Sequence, residues 1–173
     1  MVVSPSTSEP AFPFHAEKEV PPKNSLALLS NRQVNRRLAG LAGKPTILIA
    51  EDSLDSREMM QLILETKGYR VLAAADGEGA LEMASRNRPD AILLDLQLPR
   101  LDGLTVARNL RLKPIFAKLP IIIVSGHDPH RYREEAINAG CDEYLLKPIN
   151  FDELQVVLDR MVSRKRRRRF KSA

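Results

Sequence analysis

Cysteine is almost missing from this 173-residue chain: Cys141 stands alone, so no intramolecular disulfide can form and a reduced, cytoplasmic setting is expected. Aromatic residues make up 5% of the chain. Phe170 is the sole aromatic in the basic C-terminal stretch, too little to argue stacking on single-stranded nucleic acid. No apolar run approaches the length that crosses a bilayer, and "MVVSPSTSEPAFPFHAEKEVPPK" lacks a basic leader followed by an apolar stretch, so the chain reads as soluble and unexported. His15 and His130 lack Cys or His companions at ligand spacing and read as solvated. A G-x-x-x-x-G-K-S/T loop occurs nowhere, and "DGEGALE" (76–82) puts Glu82 where a dinucleotide fingerprint needs its third glycine. Nucleotide binding there is excluded.

Charge is unevenly spread. The net +5 depends on residues 164–173, "RKRRRRFKSA", which hold 7 Lys or Arg and no acid. Without them the chain has 20 basic against 22 acidic residues, and within 44–163 the balance is 15 against 19. The part that can fold is mildly acidic, and the basicity is a tail. A block of like charge is usually a solvated end, but phosphate attraction to nucleic acid or to an anionic membrane through 164–171 also fits.

Three regions follow. Residues 1–43 form an extension. Its first part, to about residue 24, is rich in Pro, Ser and Glu and is expected to be disordered; "SLALLSNRQVNRRLAGL" (25–41) is a poor amphipathic helix, because Arg37 falls inside its apolar stripe. Residues 44–163 form the globular domain, and 164–173 the polybasic tail.

From Lys44 short apolar runs alternate with segments of helical period. The runs are "TILIA" (46–50), "VLAAA" (71–75), "AILLD" (91–95), "IIIV" (121–124) and "EYLL" (143–146). Helices are expected at about 55–67, 77–87, 103–112, 129–139 and 151–163. Asp55 and Glu58 have capping-box spacing, Gly68 suits a helix C-terminus, Asp128 precedes Pro129 as a cap does, and "NFDE" (150–153) is a second box. Met59 and Met60 are expected as core fillers of the first helix. Runs without alternation suit strands covered on both faces, which predicts an α/β fold: a five-stranded parallel sheet, doubly wound, (βα)5.

In such sheets functional groups gather beyond the carboxyl ends of the strands. Those ends supply Glu51 and Asp52, Asp95, Ser125 and Lys147. Three crowded carboxylates raise one another's pKa unless a cation joins them. Oxygen ligands with retained waters suit Mg²⁺, whose open positions imply a phosphoryl group. A lysine and a hydroxyl are then what the equatorial oxygens need, and Asp95 fits the nucleophile.

With "AED" (50–52), "LLDLQLPRLDGL" (93–104), "IIIVSG" (121–126) and "AGCDEYLLKPI" (139–149) in order, the chain resembles a response-regulator receiver domain of two-component signalling, over residues 44–163. The resemblance implies the flavodoxin-like strand order 2-1-3-4-5. It makes Asp95 the phosphoacceptor, fed by a sensor histidine kinase or a histidine phosphotransfer protein. It implies Mg²⁺ held by Asp52 and Asp95, with Glu51 behind them and the Gln97 backbone carbonyl. It gives Lys147 and Ser125 to the phosphoryl oxygens, makes Tyr144 the aromatic switch, and implies a cis bond before Pro148. Gln97 and His127 resemble positions that tune phosphoryl lifetime.

The expected protein is a stand-alone phosphorylation switch whose enzymology stops at accepting its own phosphoryl group and losing it to water. Its output is binding of a downstream protein at the face of the fourth helix, fifth strand and fifth helix; dimerisation is left open. A turnover phosphotransferase is disfavoured because Gln97 cannot protonate a leaving group. A phosphorylation-independent docking protein remains the rival reading.

Overall fold

The computed structural model describes residues 43–171, with side chains to residue 163. The expected N-terminal extension, up to residue 42, and the side chains of the basic tail lie outside the described residues.

Five βα units follow one another. Strands β1 (Thr46–Ala50), β2 (Arg70–Ala74), β3 (Ala91–Leu94), β4 (Ile121–Ser125) and β5 (Glu143–Leu146) alternate with helices α1 (Leu54–Thr66), α2 (Gly77–Asn87), α3 (Gly103–Arg111), α4 (Pro129–Asn138) and α5 (Phe151–Lys171). All neighbouring strands pair in parallel, in the order β2-β1-β3-β4-β5.

Successive strand residues point to opposite faces, so the apolar runs divide into two cores. Leu48, Ala50, Ile92, Leu94, Ile121 and Ile123 pack under α2, α3 and α4, against residues such as Ala80, Ala84, Val106, Leu110 and Ala136. Ile47, Ile49, Leu93, Ile122 and Val124 pack under α1 and α5, against Met60, Leu64, Leu154 and Leu158. Each fully buried Leu or Ile contributes roughly 1.5–3 kcal/mol relative to exposure, and both faces of the three central strands are covered in this way.

Helix starts are set by short polar side chains. The Asp76, Asp102 and Asp128 carboxylates accept from Gly79 N, Thr105 N and His130 N, with Pro129 opening α4. Asn150 Oδ1 accepts from Asp152 N and Glu153 N at the start of α5. Gly68 follows α1 at φ +94°, where a side chain would be strained.

Three expectations need correction, and one element is new. The cap of α1 is Ser53, not Asp55, which lies inside the first turn. Met60 is buried but Met59 is half exposed, because adjacent residues on a helix sit about 100° apart and only one can join Leu64 against the sheet. A 3₁₀ turn at Pro114–Phe116, unforeseen, precedes β4 and buries Phe116. Helix α5 continues to Lys171 rather than stopping near residue 163; its last buried described residue is Val162.

Candidate metal and phosphoryl site

Backbone bonds beyond the strand ends align the site. Glu51 N donates to Ala74 O at 3.1 Å, Asp95 N to Ala50 O at 2.9 Å and Lys147 N to Ser125 O at 2.8 Å. Each continues the sheet ladder one residue past its strand, so Glu51, Asp95, Ser125 and Lys147 leave the sheet side by side at its carboxyl edge.

Carboxylate oxygens of Glu51, Asp52 and Asp95 lie within 4.8 Å of one another. Glu51 is buried, Asp95 nearly so, and Asp52 exposed. The Lys147 ammonium bridges two of them, at 2.7 Å from Glu51 Oε2 and 2.5 Å from Asp95 Oδ2. Burial works against that ammonium, but the hydrogen bonds and charges of Asp95 and Glu51 outweigh it and hold its pKa above the ordinary lysine value. The second Asp95 oxygen, Oδ1, accepts from Gln97 N at 2.9 Å. The Gln97 residue itself is exposed.

The hydroxyl side of the site forms its own chain. Ser125 is buried, and its Oγ accepts from His127 N at 3.1 Å. The Tyr144 hydroxyl, inward and buried, donates to the His127 carbonyl at 2.9 Å. Burial pushes the Tyr144 pKa up, the neighbouring Ser125 hydroxyl pulls it back, and the charges of Tyr132, Asp95 and Asp128 add to the rise. The His127 ring meets Tyr132 edge-on, with centroids 5.1 Å apart. The Lys147–Pro148 peptide bond is cis.

Two glycines let the loop between β3 and α3 close on the site. A Cβ on Gly103 would overlap the Asp95 carbonyl oxygen, and one on Gly77 would overlap that of Leu101, so both helix starts approach bare backbone. Arg100, at φ +64°, donates to the Asp76 carboxylate and fastens the same loop to α2. The hydrogen bond from Gly79 N, with Arg100 against burial, holds the Asp76 pKa below the usual carboxylate range.

Sequence reasoning named the acids, the lysine and the hydroxyl but missed three arginines. Arg57 Nη1 donates to the carbonyls of Glu51 and Asp52. Arg100 acts as above. Arg111 donates to the carbonyls of Gly140, Phe116 and Leu119 and to Asp142. Their partners are mostly backbone carbonyls, which carry no residue-type signal; only the closeness of Arg57 to "ED" in the chain hinted at its contact.

The donor set fits a hard divalent cation: hard carboxylate oxygens within reach of one another, and an exposed Asp52 open to water. Such an arrangement can hold Mg²⁺ and present an ammonium and a hydroxyl to phosphoryl oxygens.

Residues 47–159 match the family model described as response regulator receiver domain. Response regulator MprA of Mycobacterium leprae is 44% identical over 108 residues, which is 62% of this chain and 46% of that protein. The chain thus spans about half the length of the curated relatives it matches. Among solved structures, the receiver domain of a sensor histidine kinase from Pseudomonas aeruginosa, with magnesium coordinated in its active-site cleft, is 36% identical with TM-score 0.66, covering 70% of this chain and 99% of that one. Chemotaxis protein CheY4 of Vibrio cholerae is 28% identical with TM-score 0.66, covering 69% and 99%.

Proposed function

The chain belongs to the response-regulator receiver family of two-component signalling, and from that premise we propose that it is a phosphorylation switch acting through Asp95. A sensor histidine kinase or a histidine phosphotransfer protein supplies the phosphoryl group in a Mg²⁺-dependent step, and the modified form changes partner. The observation that carries the reading is the setting of Asp95. Its carboxylate is nearly buried, clustered with two further acids, and held at both oxygens by Gln97 N and Lys147.

In the proposed reaction an Asp95 oxygen forms the O–P bond as the P–N bond to the donor imidazole breaks, and the imidazole leaves with the bonding electrons. Asp52 and Asp95, with Glu51 behind them and the Gln97 carbonyl, would hold Mg²⁺, which supplies positive charge against the transferring oxygens. Lys147 gives up its bond to Asp95 Oδ2 and pairs with a phosphoryl oxygen, while Glu51 keeps hold of its other side. Ser125 turns its hydroxyl toward the phosphoryl group. That movement pulls on the His127 backbone that Tyr144 holds, which links the site to α4 and β5.

The output is binding, at the α4, β5 and α5 face, and the setting is the reduced cytoplasm. Among the described residues no helix is long and apolar enough to cross a membrane. Gln97 and His127 match positions that tune phosphoryl lifetime in this family, and we assign them that role.

Intact mass of the full chain, incubated with Mg²⁺ and a small phosphodonor, tests the reading. One phosphoryl adduct, labile to hydroxylamine and absent in Asp95→Asn, is expected. Failure of both a small donor and a phosphohistidine donor to modify the chain would replace this reading with phosphorylation-independent docking.

A further inference from the structure

Between β1 and α1 the chain turns through Glu51, Asp52 and Ser53, and two of the three site carboxylates sit on this turn. Three ties hold it. Glu51 N is fixed to β2 by its bond to Ala74 O. The Glu51 side chain is fixed by Lys147. The Asp52 part is held less by the helix cap, since Ser53 Oγ accepts from Ser56 N at a long 3.4 Å.

The third tie is Arg57, one turn into α1, whose Nη1 donates to Glu51 O at 2.6 Å and to Asp52 O at 3.1 Å. Charge-assisted bonds to two consecutive carbonyls fix the two peptide planes that flank the Asp52 Cα, and with them the direction in which the exposed Asp52 side chain leaves the turn. We infer that Arg57 is a positioning residue for the acid pair: its guanidinium pre-orients Asp52 toward Glu51 and Asp95, so that the divalent cation meets an assembled set of ligands. The inference rests on the metal reading of the acid cluster.

The sign of the effect separates it from its rivals. A positive charge beside a cation site, acting by charge alone, repels Mg²⁺, so removing it would tighten binding. A guanidinium that merely stiffens α1 would change stability and leave affinity alone. A positioning residue does the opposite of the first and more than the second: losing it weakens binding despite removing a repulsion. Partners behind metal ligands cost about 10–100-fold in affinity when lost. With the opposing charge effect, a loss near the bottom of that range, about tenfold, is expected here.

Isothermal titration of the full chain with Mg²⁺ alone, on wild type, Arg57→Met and Arg57→Ala, reads this directly. Arg57→Met keeps most of the packed stem and decides the matter if the alanine variant does not fold. A roughly tenfold weaker Kd for the variants, with wild type binding one equivalent, supports the assignment. Equal or tighter binding by the variants overturns it while leaving the metal reading intact. A wild-type chain that takes up no Mg²⁺ overturns the metal reading itself, and this inference with it.

Discussion

Replacing Lys147 by Met keeps the length of the side chain and removes the ammonium that bridges Glu51 and Asp95. At 2.5 and 2.7 Å each attraction is roughly 6 kcal/mol at an effective dielectric of about 20, before desolvation takes most of it back. Removing one partner of a fully buried pair costs about 3–5 kcal/mol, because the other is left uncompensated. The Lys147 side chain is 27% exposed and Glu51 only 3%, so water reaches the cation better than the acid. A loss of about 2–3 kcal/mol, or roughly 10 °C in Tm, is expected for Lys147→Met in chelator. Mg²⁺ should then restore much of it, because three acids without a competing ammonium bind the ion more tightly than in wild type. The chain has no tryptophan, so unfolding is followed by far-ultraviolet ellipticity. A variant as stable as wild type in chelator, or equal stabilisation of both by Mg²⁺, would refute the argument that Lys147 and the metal neutralise the same charges.

Two further outcomes test the surrounding frame. Burial first, then the hydrogen bond and charge of Asp159, push the Tyr69 hydroxyl well above its ordinary pKa of 10.0. The folded chain therefore keeps a proton that the unfolded chain releases: the contribution is complete below about pH 10 and fades as pH climbs toward the folded value. Tyr69→Phe should flatten the alkaline decline of stability in urea titrations, and parallel curves for the two proteins would contradict this. Gly103→Ala forces a methyl into the Asp95 carbonyl and should cost about 1–3 kcal/mol and weaken Mg²⁺ binding; a change below about 0.5 kcal/mol with unaltered affinity would show that α3 shifts freely.

Much of the sheet could be read from the chain because its strands are apolar on both sides. "TILIA" and "EYLL" coincide with β1 and β5, and β3 and β4 differ from their expected bounds by one residue. The carboxyl-edge residues were legible for the same reason, since a strand end fixes where its next side chain emerges. Local spacing failed where several local solutions compete. Ser53 and Asp55 both stand ahead of an N–H at capping distance, and only the exit direction of β1 selects Ser53. Met59 and Met60 are equally apolar, and only the orientation of α1 on the sheet sends one outward. The arginines escaped because tertiary structure creates their partners. The Arg111 guanidinium reaches the carbonyl of Gly140, 29 positions away, which no pattern of residue types records.

Cys141 sits in the core between α4 and β5, 9% exposed, its thiol pushed up to about 12 by burial. At neutral pH it is un-ionised and nearly covered, so an alkylating reagent finds it chiefly when that corner of the sheet parts. The chain therefore carries a built-in clock: the rate at which its single thiol is capped reports the openings of the β5 edge, without any cysteine having been introduced.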